Sequence, residues 1–220
     1  MMKDKVRGNG TIKTENRTAG TFTGVDVGGN FDLYVKQDST RSVRIEADEN
    51  LMQYIEVKMD GDKLVVQPKD GYNLSGSKQI KVYVSSPVLN KLEASGACDI
   101  IGENKITSTE TMYIDLSGAS DVKLELKAPK VETTSSGAGS ISLKGETKDF
   151  SVDGSGSTDI NCFELMAENT TVELSGAGDA QVFASVKLDV QVSGAADVKY
   201  KGNATVNQSV SGAGSVKKVE

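Results

Sequence analysis

The sequence predicts an all-β protein folded as a right-handed, single-stranded parallel β-helix (β-solenoid) with about 20 residues in each rung. The main observation is a five-residue motif, Ser-Gly-Ala-x-Asp or a close variant, which occurs seven times. The copies begin at Ser95, Ser117, Ser136, Ser155, Ser175, Ser193 and Ser211. Successive serines are 22, 19, 19, 20, 18 and 18 residues apart, and a fixed period near 20 is typical of stacked-repeat proteins.

Apolar residues at fixed distances from the motif are the second observation. In the first six copies, the first residue after the aspartate position is apolar and the third is mostly so, as in Val122 and Leu124 or Ile160 and Cys162. A single rung cannot bury such a face, so identical faces must stack on one another. The glycine allows a tight corner, and right-handedness follows the general rule for parallel crossovers.

The regularity of the repeat divides the chain into three segments. Residues 1–19 are polar and predict an N-terminal arm or lead-in strand. Residues 20–90 alternate with period two and predict irregular β rungs of the same solenoid, in preference to a separate small sheet. Within them, Asp60-Gly61-Asp62 indicates a hairpin turn. Residues 91–220 form the regular repeat solenoid.

Composition and charge exclude several classes of function. The formal net charge of −6 argues against nucleic acid as a partner. The chain contains no histidine, so neither a Ser-His-Asp nor a Cys-His nucleophile can form. No run of 18 apolar residues occurs, so we expect no transmembrane segment. The first residues are too polar for a signal peptide, so we expect any export leader to be absent from this chain.

The two cysteines, Cys98 and Cys162, lie in different repeats. Three rungs separate them, which is about 14 Å at roughly 4.8 Å per rung. A disulfide needs Cα atoms within about 7 Å of each other. We therefore predict two free thiols that pack as ordinary small side chains.

Several motifs resemble the bacterial family described as putative auto-transporter adhesin, head GIN domain. They are the repeated Ser-Gly-Ala-Gly-Asp corner, the segment at residues 22–32 and the segment at residues 43–51, and the resemblance covers about residues 10–216. It implies an extracytoplasmic β-helix protein that is secreted, periplasmic or held at the cell surface as a lipoprotein. It implies no established catalytic or binding residue.

The aspartates of the motif are the one candidate metal site. They are Asp99, Asp121, Asp159, Asp179 and Asp197. In the stacked fold they recur about every 5 Å, and like charges at that distance repel unless something offsets them. A calcium ladder is one interpretation, because carboxylate and carbonyl oxygens hold Ca²⁺.

The favoured interpretation is that each carboxylate accepts backbone N–H groups, as in an Asx turn, and that no metal or cofactor is bound. Known calcium repeats recur every nine residues, so that facing turns share each ion. Here one turn in about 20 residues faces no partner, and Ser140 and Ser215 replace the charge in two copies.

Three functions are compatible with these features. The first is a non-enzymatic adhesive or surface-display module whose partner is an unknown protein or glycan. The second is a glycan-degrading, pectinase-like β-helix enzyme, which would need a groove holding two or more carboxylates, a lysine and an aromatic wall. The absence of histidine and tryptophan disfavours it. The third is a scaffold that forms homo-oligomers through the ends of the solenoid, because an uncovered final strand near residues 210–219 invites pairing.

Overall fold

The computed structural model describes residues 3–220, and the first two residues of the predicted arm lie outside the described part. Described residues form strands, turns and one short 3-10 helix, Met52–Tyr54. Nothing in this range forms a helix long and apolar enough to cross a membrane. The strands are β1 (Asp4–Arg7), β2 (Ile12–Arg17), β3 (Gly24–Gly29), β4 (Phe31–Gln37), β5 (Ser42–Asp48), β6 (Ile55–Asp60), β7 (Lys63–Pro68), β8 (Tyr72–Ser75), β9 (Ile80–Ser86), β10 (Lys91–Gly96), β11 (Asp99–Gly102), β12 (Ile106–Thr107), β13 (Met112–Ala119), β14 (Asp121–Cys162), β15 (Leu165–Ala177), β16 (Ala180–Phe183), β17 (Lys187–Ala195), β18 (Asp197–Lys201), β19 (Thr205–Gly212) and β20 (Ser215–Lys218).

The strands that run into the Ser-Gly corner form one side of the coil, which we call the serine face. Its parallel neighbours are β3, β10, β13, two segments of β14, then β15, β17 and β19. Each motif is in register with the next, so that Ser95 pairs with Ser117 and Gly96 with Gly118. The seven corners therefore lie over one another, and the predicted parallel β-helix is confirmed, with about six turns.

The strands that follow each corner form a second side, the aspartate face. It contains β4, β11, further segments of β14, then β16, β18 and β20, again paired in parallel. A short third side closes each rung, where β12 pairs with residues 126–127 and residues 145–147 pair with 165–167. The long strand β14 continues through two corners, because the bends do not interrupt its ladder of hydrogen bonds.

The N-terminal end of the coil is covered by residues that follow the first rung. After β3 and β4, the chain folds back over them before it returns at β10. Strand β7 extends the serine face in parallel beside β3, and β6 pairs with β7 as an antiparallel hairpin through Gly61. Strand β9 extends the aspartate face beside β4, and β5 and then β2 add antiparallel strands. Leu51, Ile55 and Leu74 are fully buried beneath this layer.

The interior is filled by one column of side chains for each inward position. In the serine face, one such column contains Leu92, Ile114, Val172 and Val190, all buried. Burying the face of each rung against the next is the main source of stability in such a stack, at about 25 cal/mol for each Å² of apolar surface. Cys98 and Cys162 occupy inward positions as free, fully buried thiols, as predicted.

The corner glycines determine how closely the rungs can stack. Gly137 has a φ of +131°, in the left-handed region that side chains rarely adopt. A Cβ placed there would lie less than 3.0 Å from the carbonyl oxygen of Gly118, in the rung before. The same overlap with the preceding glycine recurs at every later corner glycine of the motif, through Gly212. The rung spacing itself therefore requires glycine at this position.

We expect Gly137→Ala to destabilise the fold severely, since it adds a steric clash to an unfavourable φ. Gly61→Ala is the matched control, because Gly61 has a φ of +63° but no atom within 4 Å of its Cβ position. The strain alone costs about 1–2 kcal/mol. Urea unfolding followed by circular dichroism should show a clearly larger loss for Gly137→Ala than for Gly61→Ala. Equal losses would mean that the clash is relieved by a small shift of the rungs.

A buried carboxylate holds the N-terminal arm against the covering layer. Asp48 is fully buried, and its oxygens accept hydrogen bonds from the Gly10 N–H at 2.7 Å, the Ser77 N–H at 2.8 Å and the Ser77 hydroxyl at 2.6 Å. Burial by itself would raise the pKa of Asp48, but the hydrogen bonds from Ser77 and Gly10 outweigh it, so the pKa lies below its usual value. The charged carboxylate is the form that this site stabilises.

We expect Asp48→Asn to lower the free energy of unfolding at neutral pH by about 1–3 kcal/mol, because an amide offers one acceptor oxygen and adds unwanted donors. A depressed pKa stabilises the fold above the unfolded-state pKa of about 3.9, and this contribution disappears as pH falls through the lower folded-state pKa. The difference between wild type and Asp48→Asn should therefore shrink from pH 7 to pH 3 in urea titrations. The exposed Asp70→Asn serves as control. A difference that does not change with pH would contradict the assignment.

Candidate functional site

The aspartates of the motif lie in one column at the edge of the aspartate face, and all of them except the half-buried Asp99 are exposed. Asp99 pairs in register with Asp121, and Asp197 pairs with Ser215. Asp159 precedes Ile160, which pairs with Ala180, so Asp159 and Asp179 are neighbours as well. The structure thus brings the sequence-predicted candidates into a single line, in which Ser140 takes the aspartate position between Asp121 and Asp159.

The carboxylates of this column bond to the following rung. The Ser140 N–H donates to Asp121 Oδ1 at 2.7 Å and the Ser140 hydroxyl donates to the same oxygen at 2.8 Å. The Asp179 N–H donates to Asp159 Oδ1 at 3.2 Å, and the Asp197 N–H donates to Asp179 Oδ1 at 3.3 Å. The Asx turn predicted from the sequence would keep these hydrogen bonds within one corner. Instead, they connect successive corners and so offset part of the repulsion between stacked charges.

The column is electrostatically uneven along its length. Burial raises the pKa of Asp99, and the neighbouring carboxylates Asp32 and Asp121 raise it further. At the C-terminal end, the Ser215 hydroxyl donates to Asp197 at 2.6 Å and lowers the pKa of that carboxyl group. Between residues 3 and 220, no group of three or more Cys, Asp or Glu side chains is arranged to hold a metal ion.

A groove follows the aspartate face beside this column, and we call it the aspartate-face groove. Its volume is about 640 Å³, and it crosses five successive rungs at residues 101–104, 123–125, 142–144, 161, 163–164 and 181. Hydroxyl and amide side chains occupy the equivalent position in its last three rungs, since Ser142 is one repeat before Asn161 and Asn161 pairs with Gln181. The first two rungs hold Ile101 and Lys123 there. Groups that both donate and accept hydrogen bonds are therefore presented by three successive rungs of the groove.

Aromatic and charged side chains border the groove. Phe163 forms one wall, and the Lys201 ammonium lies 5.2 Å from the centre of its ring. Lys144 forms an ion pair with Glu125 at 3.2 Å, with both side chains substantially exposed. Glu103 and Glu164 also line the groove. The groove therefore contains the carboxylates, lysines and aromatic wall that a glycan-degrading enzyme would need.

A second aromatic feature covers the first rungs of the same face. The rings of Tyr34 and Tyr83 are stacked, with centroids 4.9 Å apart and an angle of 19° between their planes. The Arg44 guanidinium lies 4.2 Å from the centre of the Tyr83 ring. Because the faces of the Tyr83 ring are covered by its neighbours, it cannot serve as a stacking platform for a sugar. This ladder joins the covering strands β5 and β9 to the first rung.

Comparisons with known proteins identify the family. The family model described as putative auto-transporter adhesin, head GIN domain, matches residues 21–204. This chain belongs to that family. No functionally curated protein matches the sequence.

Solved structures of similar proteins share the GIN-domain fold. A putative adhesin from Bacteroides fragilis NCTC 9343 has 24% sequence identity and a TM-score of 0.92, with 97% of this chain and 100% of the other covered. A putative adhesin from Parabacteroides merdae ATCC 43184 has 25% identity and a TM-score of 0.74, with 99% and 100% covered. A putative lipid binding protein from Parabacteroides distasonis ATCC 8503 has 20% identity and a TM-score of 0.75, with 99% and 100% covered.

Sequence reasoning identified the aspartate column of this GIN-domain chain but missed the groove and the tyrosine ladder. The groove depends on outward positions two and four residues after the aspartate, and these hold different residue types in each rung. The ladder had a weak signal, because Tyr34 and Tyr83 occupy the same place in the similar segments Phe-Asp-Leu-Tyr-Val and Ile-Lys-Val-Tyr-Val.

We expect the midpoint of thermal unfolding to be the same in millimolar calcium and in EGTA, because the aspartate carboxylates already accept hydrogen bonds from the next rung. A ligand that binds only the folded state would raise the midpoint with its concentration. Differential scanning calorimetry of the wild-type chain tests this directly. A calcium-dependent rise that Asp159→Asn abolishes would instead establish the calcium ladder.

Proposed function

We propose that this GIN-domain chain is an extracytoplasmic, non-enzymatic binding module that uses the aspartate-face groove to hold a glycan on another surface. Membership of a family described as putative adhesins supports the adhesive role and the location outside the cytoplasm. The names of the similar structures from Bacteroides fragilis and Parabacteroides merdae agree with it.

The observation that carries the choice of ligand is the line of Ser142, Asn161 and Gln181 along the groove. Hydroxyl and amide groups can both donate to and accept from sugar hydroxyls, and they carry no charge to select against neutral sugars. Phe163 adds an apolar wall on which the less polar face of a sugar ring can rest. Because equivalent positions recur about every 4.8 Å, an extended oligosaccharide can be contacted at several rungs at once.

A glycan-degrading enzyme is the second candidate, favoured by the carboxylates Glu103, Glu125 and Glu164 in the same groove. Glycosidases need two carboxyl groups on opposite sides of the scissile bond. Against this candidate, Glu125 is already paired with Lys144 and substantially exposed, whereas a general acid needs a protected carboxyl group whose pKa is raised. Binding without cleavage is therefore the function that the groove supports best.

Binding of the purified chain to a glycan array, followed by calorimetric titration of the best oligosaccharide, tests the proposal. Gln181→Ala and Phe163→Ala should each weaken binding about tenfold, equivalent to about 1.4 kcal/mol. Gln191→Ala is the matched control, because Gln191 is in the serine face, one repeat after Glu173, and outside the groove.

Two results would count against the binding module. The first is no measurable binding to any glycan of the array, or binding that both groove substitutions leave unchanged. The second is release of new reducing ends from a bound polysaccharide by the wild-type chain but not by Glu125→Gln, which would support the enzyme instead.

A further inference from the structure

The two ends of the solenoid differ in how their outermost strands are protected. At the N-terminal end, β6 and β2 are the last strands of the two faces, and each has a partner on one side only among the described residues. Both are rich in charge, with Glu56, Lys58 and Asp60 in β6 and Lys13, Glu15 and Arg17 in β2. Charged side chains on an edge strand prevent it from pairing with another chain.

At the C-terminal end the two faces finish with β19 and β20. Strand β20 contains Lys217 and Lys218 and is protected in the same way. Strand β19 spans eight residues from Thr205 to Gly212 and contains no charged residue. It is therefore the one long, uncharged edge strand at either end of the described solenoid, with unpaired backbone groups along its outer side.

The inward side of β19 is also incompletely covered. Val206, Gln208 and Val210 continue the inward columns of Leu188, Val190 and Val192. The preceding residues are buried, whereas Val210 remains 38% exposed. Gln208 places an amide where the rung before has a valine. The last rung therefore presents one amide with a valine on each side of it.

We propose that β19 pairs with β19 of a second copy of this chain, antiparallel and about a two-fold axis at Gln208. In that register Val206 faces Val210 of the other copy, and each inward residue stays on the inward side, which is required for the two apolar interiors to join. The two Gln208 amides face each other at the axis, and each amide can donate to the carbonyl oxygen of the other.

A second copy suits this edge better than an unrelated strand, for two reasons. The pattern valine, amide, valine is symmetric about Gln208, so the strand is complementary to itself when reversed. The absence of charge also means that two β19 strands bring no like charges together. The contact is isologous, so it occupies the uncharged edge of both copies. The charged N-terminal edges disfavour pairing with further copies, and the assembly therefore stops at a dimer.

This dimer is independent of the glycan proposal. It would place two aspartate-face grooves on one end-to-end particle, and two linked sites bind a multivalent surface more tightly than one. The contact is confined to the end of each rod, so the dimer is expected to dissociate on dilution.

Light scattering coupled to size exclusion tests the assembly. The wild-type chain should approach twice its mass of 23.2 kDa as its concentration rises. Gln208→Lys, which sets two ammonium groups against each other at the axis, should remain monomeric. Gln191→Lys is the control, since it adds the same charge to the outward side of the preceding strand, and it should dimerise like the wild type. A monomeric wild type at every concentration, or a dimer that Gln208→Lys leaves intact, would overturn the proposal.

Engineered cysteines test the register, because facing residues in an antiparallel pair have Cα atoms about 4.5–5.5 Å apart, within disulfide range. Gln208→Cys alone should form a disulfide-linked dimer on oxidation. Val206→Cys and Val210→Cys should each stay mostly uncrosslinked alone and crosslink when mixed. Native Cys98 and Cys162 are fully buried, so they add little background. Crosslinking of Gln208→Cys no faster than that of Gln191→Cys would contradict the proposed axis.

Discussion

The stacking of glycine on glycine at each corner is the constraint on which the rest of this molecule depends. From Gly96 to Gly212, the carbonyl oxygen of one corner glycine lies where the next would carry a Cβ. The rungs can approach to the distance of a parallel sheet only because that atom is absent. The same contact sets the register, since a slip of one residue would bring serine or alanine to the glycine position and turn every inward side chain outward. The repeat is thus a consequence of the close approach between backbones.

The alignment of successive corners has an electrostatic cost, because it stacks aspartates of like charge directly over one another. The aspartate column shows how the chain limits that cost. Carboxylates such as Asp121 and Asp159 accept a backbone N–H from the next corner, so the groups that repel one another also join successive rungs. Ser140 and Ser215 interrupt the column of carboxylates, and each donates its hydroxyl to the aspartate of the preceding rung. The column therefore has a structural explanation in the contacts between successive rungs.

The sequence predicted the features that follow from the repeat. It did not predict those that depend on residues that differ from one rung to the next or on the irregular N-terminal segment. The parallel stack, the inward columns and the free thiols follow from the 20-residue period, because a fixed period determines which residues lie over one another. Period-two alternation cannot distinguish parallel from antiparallel pairing, so it did not show that residues 42–86 fold back over the first rung. Only Asp60-Gly61-Asp62 indicated that reversal, and it is the turn of the β6–β7 hairpin. The groove was not predictable, because Ser142, Asn161 and Phe163 are outward residues that do not repeat.

The covering layer at the N-terminal end also shows how this fold can end a parallel stack. A stack of parallel strands leaves a slanted row of unpaired backbone N–H and C=O groups at each end. Here antiparallel strands pair with these groups on both faces: β6 lies outside β7, and β5 lies outside β9. The same geometry is available at β19, whose outer side no described residue covers. An antiparallel neighbour from a second copy would therefore repeat at the C-terminal end the arrangement that this sequence already uses at the other. The absence of charge in β19, in contrast to the charged residues of β6 and β2, is what an edge meant to pair would require.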